Sequence, residues 1–413
     1  DEKTRKSVTH GFYLLLQSDY KQSKNFTRSE NASIPALDKV SGYENMLDLK
    51  ILIKDTKEKF SQTDQQNEVV KSFFKRLDEL LTYMRDLGSL PNEHLYEDER
   101  ATAILSVLDA CQKENMFLIP HFTSKLYELH MMMGNKTEAA EALMECARFL
   151  SWDDHTAVAE GHGQPEQEKR ERKRKIMHEA VNLFMQTQFF ERALDVLGQL
   201  EEFYKNIEIC YEDLSKVYKL ESDCYDSICN QERNILNRFY GVRFYGAKFS
   251  EYFKDTLFIY RRDGFFMNDK MMMNLKEKFP DAEVSPKAPT EDALKNNNDL
   301  QYIHVFNMKP KDMETFDPYM PPSDLMVKSC CDMSEFYSEA PVRIKRGLNE
   351  FAEWHRHIYR YQTQRNLQGV VRRLPVTKTS DLIIMHPIEC AIFDTNAKTI
   401  ELMQKASMYW RCL

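Results

Sequence analysis

The spacing of apolar residues changes from a helical to an alternating pattern near Phe239, and this change restricts the folds open to the chain. Before Phe239, apolar residues recur every three or four positions, which places them on one side of a helix. After Phe239, short runs of alternating apolar and polar residues predict strands. The clearest helical stripe lies between Asn67 and Leu87 and consists of Val69, Val70, Phe73, Phe74, Leu77, Leu80, Leu81 and Met84.

Further helices are predicted on the same basis. Gly134 interrupts the periodicity as a helix-terminating glycine does, and a short polar segment at 186–188 separates another pair of helices. The pattern predicts stacked helical hairpins, similar to tetratricopeptide units but less regular. The predicted helices are Ser7–Tyr20, Asn67–Leu87, Glu99–Lys113, Phe122–Met133, Thr137–Leu150, Ile176–Met185, Phe189–Tyr204 and Asp213–Phe239.

The segment after Phe239 is predicted to be rich in strands. It opens with two aromatic–glycine clusters, Phe239–Val242 and Phe244–Gly246, and it includes a short helix at Met271–Lys278. A new helix is predicted to begin at Pro387, where proline suits the first turn. The other predicted strands are Leu257–Gly264, Tyr302–Met308, Pro341–Ile344, Tyr359–Gln364, Val370–Val376 and Leu382–Met385.

Together these patterns predict a multidomain α+β fold. An N-terminal antiparallel helical-repeat array is followed by a β-rich lobe of antiparallel sheets and then by the start of a helical lobe. The expected segments are 1–95, a helical region; 96–236, the helical-repeat lobe; 237–386, the sheet lobe; and 387–413, the first helix of a further lobe.

Composition excludes several classes of function. The net charge of −8 disfavours general nucleic-acid binding, which needs clustered cations. The nine cysteines are scattered without a C-x-x-C pair, so we expect reduced thiols rather than a zinc site or a disulfide framework. No phosphate-binding loop or hydrolase motif occurs, and no cofactor, metal or catalytic residue is predicted. No apolar run approaches the ~20 residues that cross a bilayer.

The segment from Glu166 to Lys175 is almost entirely charged and leaves two interpretations open. Glutamates alternate with the basic residues, so the segment is expected to be the solvated start of a helix. A patch for RNA or a membrane surface is the weaker reading. It would use Lys169, Arg170, Arg172, Lys173 and Arg174.

Several dispersed motifs keep the order found in one known family. The run Phe239–Gly246 and the strand Phe258–Arg261 resemble the opening of the middle lobe of the second DOCK homology region. The DOCK proteins are guanine nucleotide exchange factors. Further matching motifs are Phe279–Ala282, Gln301–Ile303, Asn349–Ala352 with Trp354, and Pro387–Ile392.

The resemblance implies a fold and a function. In that family the helical lobe forms a homodimer, the sheet lobe touches the first switch of a Rho-family GTPase, and a third, helical lobe grips the second switch. The pattern is most similar to the Rac-directed branch that pairs with ELMO adaptors. A cytoplasmic protein recruited to the plasma membrane is expected. The matching sequence stops near the first helix of the third lobe, so we expect the nucleotide-sensing loop to be missing from these residues.

Five residues are predicted to contact the GTPase. They are Tyr245, Phe258, Tyr260, Glu350 and Trp354. An exchange factor needs no acid, base or metal of its own, because it acts by binding the emptied GTPase more tightly than the loaded one. The alternative hypothesis is a helical scaffold or dimerisation module without exchange activity.

Overall fold

The computed structural model describes most of the chain. The described residues are 2–40, 46–60, 67–90, 94–114, 116–230, 237–263, 267–290, 300–311, 333–343, 353–367 and 369–411. No helix among them is long and apolar enough to cross a membrane.

Helices occupy the first part of the chain, as the periodicity predicts. The predicted stop at Gly134 is confirmed, because this glycine has a φ of 78° and its amide donates to the end of the preceding helix. The helices are α1 (Glu2–Ser23), α2 (Thr27–Val40), α3 (Met46–Glu58), α4 (Glu68–Gly88), α5 (Glu97–Glu114), α6 (Ile119–Met133), α7 (Lys136–Phe149), α8 (Lys169–Gln186), α9 (Phe190–Asn206) and α10 (Tyr211–Asn230).

The chain divides into two compact units, Asp1–Leu183 and Phe184–Leu413. The second unit therefore groups α9 and α10 with the strands. The borders predicted at 95, 236 and 386 concern functional lobes and stay predictions.

The first unit carries a small hairpin between α7 and α8. Its strands are β1 (Ala157–Val158) and β2 (Gln167–Glu168), which pair antiparallel. His162 at its tip is buried, with a φ of 55°. Its backbone amide donates to Ser124 Oγ at 2.6 Å, which ties the hairpin to α6.

The basic residues at the start of α8 hold this hairpin. Lys169 lies 2.8 Å from Asp154, Arg174 lies 2.7 Å from Glu171, and Arg172 is buried. Arg172 Nη2 donates to three backbone carbonyls of the hairpin, those of Ala159, Gln164 and Pro165, at 3.1, 3.4 and 2.7 Å. These contacts favour the interpretation of a structural helix start over an RNA or membrane patch.

The second unit contains the strands and two further helices. The strand predictions are largely confirmed in place and type. The elements are β3 (Asn237–Tyr245), β4 (Leu257–Asp263), α11 (Asn268–Lys278), β5 (Glu283–Ser285), β6 (Tyr302–Pro310), β7 (Met333–Arg343), β8 (Trp354–Leu367), β9 (Arg373–Thr379), β10 (Ile383–Met385) and α12 (Pro387–Arg411).

The strands form two sheets that share two bent strands. The first part of β6 pairs with β3, whereas Lys309 and Pro310 pair with β7. Likewise, β9 pairs first with β4 and then with β8. The path β3–β4–β9–β8–β7–β6 thus closes on itself, as in sheets whose corner strands switch layers. Most pairs are antiparallel as predicted, but β5 pairs with β6 in parallel.

Both faces of the β3–β4–β6 sheet are buried. On one face, α11 and the aromatic segment after β3 cover a core of Tyr240, Val242, Phe244, Phe249, Phe253, Phe258, Tyr260, Met271, Leu275, Ala282, Ile303 and Val305. On the other face, Phe239 meets Phe336 of β7 with ring centroids 5.0 Å apart. Side chains at both odd and even positions are therefore buried along much of these strands.

Two predicted boundaries are wrong. The helix predicted to run to Phe239 ends at Asn230, and Phe239 lies in β3, because it pairs with β4 and β6. The strand predicted at Pro341–Ile344 begins at Met333, because its buried residues are early while serines and glutamates mask the pattern. Ile344 lies outside the described residues.

Candidate functional site

Two of the five predicted contact residues are buried, which corrects the prediction for them. Phe258 is 0% exposed and Tyr260 is 3% exposed. They belong to the core between the sheet and α11. A partner cannot reach these side chains while the sheet is folded, so we remove them from the contact set.

Phe258 and Tyr260 instead form part of a cage around Arg373 of β9, which is 1% exposed. The guanidinium carbon lies 4.7 Å from the ring centroid of Phe258 and 5.6 Å from that of Tyr260. The rings of Tyr252 and Phe253 follow at 5.4 and 5.7 Å. The aromatic side chains of this motif therefore stabilise a buried cation in the core of the fold.

The remaining predicted residues do not lie together. Tyr245 is half-buried at the end of β3, and Trp354 is 45% exposed at the start of β8. Trp354 precedes Tyr361, the residue of β8 that lies near Tyr245, by seven residues, which is about 23 Å along an extended strand. Glu350 lies outside the described residues. The structure therefore supports Tyr245 and Trp354 as separate candidates.

Tyr245 belongs to a surface that β3 and β6 build from cross-strand pairs. Arg243 lies opposite His304, and Gly241 lies opposite Phe306. Alternation puts these positions on the same face of the sheet as Tyr245. Tyr361 of β8 joins them, because its ring centroid lies 6.2 Å from that of Phe306. We call Arg243, Tyr245, His304, Phe306 and Tyr361 the Arg243 patch.

Gly241 allows the patch to form. A Cβ at this position would come within 2.6 Å of the side chains of Phe306 and Met308. The absence of a side chain lets the Phe306 ring lie across β3, where it meets His304 at a centroid distance of 4.8 Å. The glycine of the aromatic–glycine cluster is thus a packing requirement of the patch.

The guanidinium of Arg243 supplies the positive charge of the patch. It is exposed and lies 5.2 Å from the ring centroid of Tyr245. Burial lowers the pKa of His304, the nearby Arg243 lowers it further, and a hydrogen bond to the Pro286 carbonyl acts in the opposite direction. His304 is therefore neutral near pH 7.

The two tyrosines of the patch also stay neutral. Burial raises the pKa of Tyr245, and Asp255 and Tyr302 raise it further, while Arg243 opposes them. Burial raises the pKa of Tyr361, whose hydroxyl lies 3.1 Å from Ser338 Oγ. The patch therefore combines aromatic surface with one exposed cation.

Four residues of the patch were missed by reasoning from the sequence. The sequence contains a weak indication of them. Arg243 and Tyr245 lie two positions apart on one predicted strand, and so do His304 and Phe306 on another, so each pair lies on one face of its strand. The pairing of these two segments, together with the position of Tyr361 on β8, is a tertiary fact. No local pattern predicts it.

The chemistry of this surface suits recognition rather than bond making. Aromatic rings and arginine are the residue types enriched at the centre of protein interfaces. Within the described residues, no group of three or more histidine, cysteine, aspartate or glutamate side chains could hold a metal ion. The fold is thus a helical array followed in sequence by a two-sheet unit, and the patch has the residue types that are common at protein interfaces.

Comparison with known proteins finds relatives of one kind. No protein-family model matches the chain. Human dedicator of cytokinesis protein 4 is 25% identical over 399 residues, which cover 92% of this chain and 20% of that protein. Mouse dedicator of cytokinesis protein 3 is 26% identical over 200 residues, which cover 48% of this chain and 10% of that protein.

A more distant relative agrees with these two. The DOCK-like protein 1 of Saccharomyces cerevisiae is 22% identical over 244 residues, which cover 58% of this chain and 12% of that protein. All three of these homologues are DOCK, or dedicator of cytokinesis, proteins, at 22–26% identity to the chain. The chain spans a fifth or less of the length of these relatives.

Proposed function

We propose that the chain is part of a guanine nucleotide exchange factor that binds a Rho-family GTPase, with a Rac-type protein as the preferred partner. The observation that carries the proposal is the relationship to dedicator of cytokinesis proteins over almost the whole chain. The Arg243 patch supports it, because it offers an exposed arginine beside half-buried aromatic side chains on the sheet that the family resemblance assigns to GTPase contact.

The proposed mechanism is thermodynamic coupling. A protein that binds the nucleotide-free GTPase more tightly than the loaded form weakens nucleotide binding by the same factor. A 1,000-fold weakening requires about 4 kcal/mol of differential binding energy. Aromatic anchors that become buried only against the emptied GTPase can supply energy of this size. The chain then needs no residue that makes or breaks bonds.

Truncation of Tyr245 tests the contact directly. We expect Tyr245→Ala to weaken binding to nucleotide-free Rac by 10- to 100-fold, because a half-buried aromatic anchor is lost. Binding is measured on immobilised, nucleotide-free GTPase with the full chain. Met273→Ala, at an exposed residue of α11 outside the Arg243 patch, serves as the control and should bind as the unchanged chain does. Equal binding by both variants would remove Tyr245 from the site.

Full exchange activity is a separate question. We propose that GTPase binding by the sheet and full-rate release of nucleotide are separable activities. A comparison of GDP release by this chain and by a longer one tests this. The ELMO-type adaptor, the cytoplasmic location and recruitment to the plasma membrane stay predictions from the family resemblance.

The helical scaffold is favoured as a second, compatible role by one surface of α10. Three tyrosines lie seven residues apart on its exposed side. Tyr211, Tyr218 and Tyr225 are 77%, 42% and 58% exposed. Small residues occupy the alternating positions of the same side, namely Ser215, Ser222 and Cys229. This spacing of four and three residues is that of a coiled-coil seam.

We propose that two copies of the chain dimerise through this seam. In an antiparallel arrangement, each tyrosine of one helix faces a small residue of the other, so that large side chains fill the gaps. A two-fold axis produces such self-complementary contacts. Tyr218 is already oriented, because its hydroxyl lies 2.9 Å from Glu201 of α9.

Removal of two seam tyrosines tests the dimer. We expect Tyr211→Ala combined with Tyr225→Ala to raise the dimer dissociation constant at least 100-fold, because four aromatic side chains leave one interface. Sedimentation equilibrium over a range of concentrations measures the change. Tyr245→Ala is the control and should stay dimeric. A wild-type chain that sediments as a monomer at tens of micromolar would contradict the proposal.

A further inference from the structure

Arg243 is an exposed cation without a carboxylate partner among the described residues. Two other arginines of the same sheets are paired with carboxylates. Arg356 forms two hydrogen bonds of 2.9 Å with Asp394, and Arg343 lies 2.9 Å from Glu353. The interaction that Arg243 makes is the stacking of its guanidinium on a tyrosine ring.

The surroundings keep this cation uncompensated. His304, directly opposite on β6, supplies no negative charge in either protonation state. Asp255 lies close enough to Tyr245 to raise the pKa of that tyrosine, but it forms no ion pair with Arg243. The charge of Arg243 is therefore available to an anion that approaches the sheet from outside.

Stacking also prepares the guanidinium for a planar partner. An arginine held against a ring has already lost much of its side-chain freedom, and its edge carries N–H groups in the fork that matches a carboxylate. Phe306 lies beside it as half-buried apolar surface, and the buried ring of Tyr361 supports Phe306 from below. The patch thus offers one anion position next to one apolar position.

We infer that the Arg243 patch recognises a segment of the partner GTPase in which a carboxylate side chain pairs with Arg243 while a neighbouring apolar side chain packs on the half-buried ring of Phe306. This inference rests on the proposed function, since it names the chemistry of the partner at the same site. The net charge of −8 disfavours a nucleic-acid phosphate as the anion, because the chain as a whole repels it.

The pairing gives specificity by charge. A GTPase with a neutral or basic residue at this point would leave Arg243 desolvated without a partner, which is unfavourable. Closely related GTPases could then be separated by one residue of the contacting segment. Arg243 would act as a specificity-determining residue rather than a catalytic one.

Charge reversal tests the inference. We expect Arg243→Glu to weaken binding to nucleotide-free Rac at least 30-fold, since attraction becomes repulsion next to a carboxylate. Arg238→Glu is the matched control, because Arg238 is an exposed cation of the same strand on the opposite face. It carries the same change in net charge and should weaken binding less than threefold. Arg243→Lys keeps the charge without the planar fork and should give an intermediate loss.

A charge swap identifies the partner residue. Each exposed carboxylate in the first switch of the GTPase is replaced by lysine, and each variant is measured against the chain carrying Arg243→Glu. We expect one lysine substitution to restore binding at least tenfold with Arg243→Glu while it weakens binding to the unchanged chain. Equal loss for Arg243→Glu and Arg238→Glu, or no restoring substitution, would overturn the inference.

The outcomes also separate this inference from the proposed function. If the unchanged chain binds no nucleotide-free Rho-family GTPase, the proposed function fails and the inference fails with it. If the unchanged chain binds and Arg243→Glu binds equally well, only the carboxylate pairing is wrong. Circular dichroism and thermal unfolding of each variant confirm that the sheet stays folded.

Discussion

Gly246→Ala is expected to lower the unfolding free energy of the second unit by about 4 kcal/mol and to abolish GTPase binding, because an alanine does not fit there. Gly246 has a φ of 118°, a conformation that residues with a Cβ rarely adopt. A Cβ would also overlap the carbonyl oxygen of Leu300 and lie 2.7 Å from its carbon. Backbone atoms cannot rotate away as a flexible side chain can.

The site of this effect explains its expected size. Gly246 directly follows Tyr245, which pairs with Tyr302 at the beginning of β6. Displacement of Leu300 would shift the entry into β6 and thereby separate the two strands that carry the Arg243 patch. One small substitution would then disrupt both the pairing of β3 with β6 and the binding surface that these strands carry.

Hydrogen exchange measures the effect locally. Peptides covering β3 and β6 should lose about a thousandfold in protection, which corresponds to about 4 kcal/mol. Gly198→Ala is the matched control, because Gly198 is an exposed glycine inside α9 with no atoms within 4 Å of an added Cβ. It should stabilise the helix by about 0.5–1 kcal/mol. Unchanged protection of β6 in Gly246→Ala would disprove the steric argument.

Arg373→Ala is expected to lower the unfolding free energy of the second unit by about 3–5 kcal/mol. Two losses add up. Stacking of a buried cation on aromatic rings contributes about 2 kcal/mol or more. Arg373 also donates to the hydroxyls of the exposed Tyr252 and the buried Tyr260 at 2.7 and 3.3 Å, and the loss of a hydrogen bond to a buried hydroxyl such as that of Tyr260 costs about 1–3 kcal/mol.

The nature of the replacement distinguishes packing from charge. Arg373→Met fills much of the same space without a charge, so it should cost less than alanine, as often holds when a buried charge is replaced by an apolar side chain. Arg373→Lys keeps a charge but loses the planar stack. Denaturant unfolding monitored by exchange in β4 and β9 ranks the three variants. Arg238→Ala, an exposed arginine of β3, is the control and should change stability by less than about 0.5 kcal/mol. A loss below 1 kcal/mol for Arg373→Ala would show that the cage is not a stabilising element.

Much of the secondary structure was predictable because its signals are local. A helical stripe such as that of α4, the stop at Gly134 and the strand Leu257–Asp263 all follow from residues close in sequence. The boundaries that failed lie where local signals conflict. The start of β3 continues an apolar pattern that also suits a helix, and the first half of β7 alternates poorly.

The binding site was predictable only in part, for a physical reason. Phe258 and Tyr260 belong to the same aromatic motif as Tyr245, yet they are buried and Tyr245 reaches the surface. In a half-exposed sheet, alternation would separate buried from exposed residues. Here both faces of the sheet are covered along most of its length. The alternation of residues along a strand therefore does not predict which side chains are exposed.

The sequence by itself determined where helices give way to strands, because the period of apolar residues is set by backbone geometry over a few turns or pleats. It also indicated a resemblance to one family, through motifs whose order is preserved along the chain. Only the tertiary structure decided which aromatic residues surround Arg373 and which surround Arg243. That choice depends on how β6 and β9 bend between two sheets, and the bending follows from pairings between residues far apart in the chain.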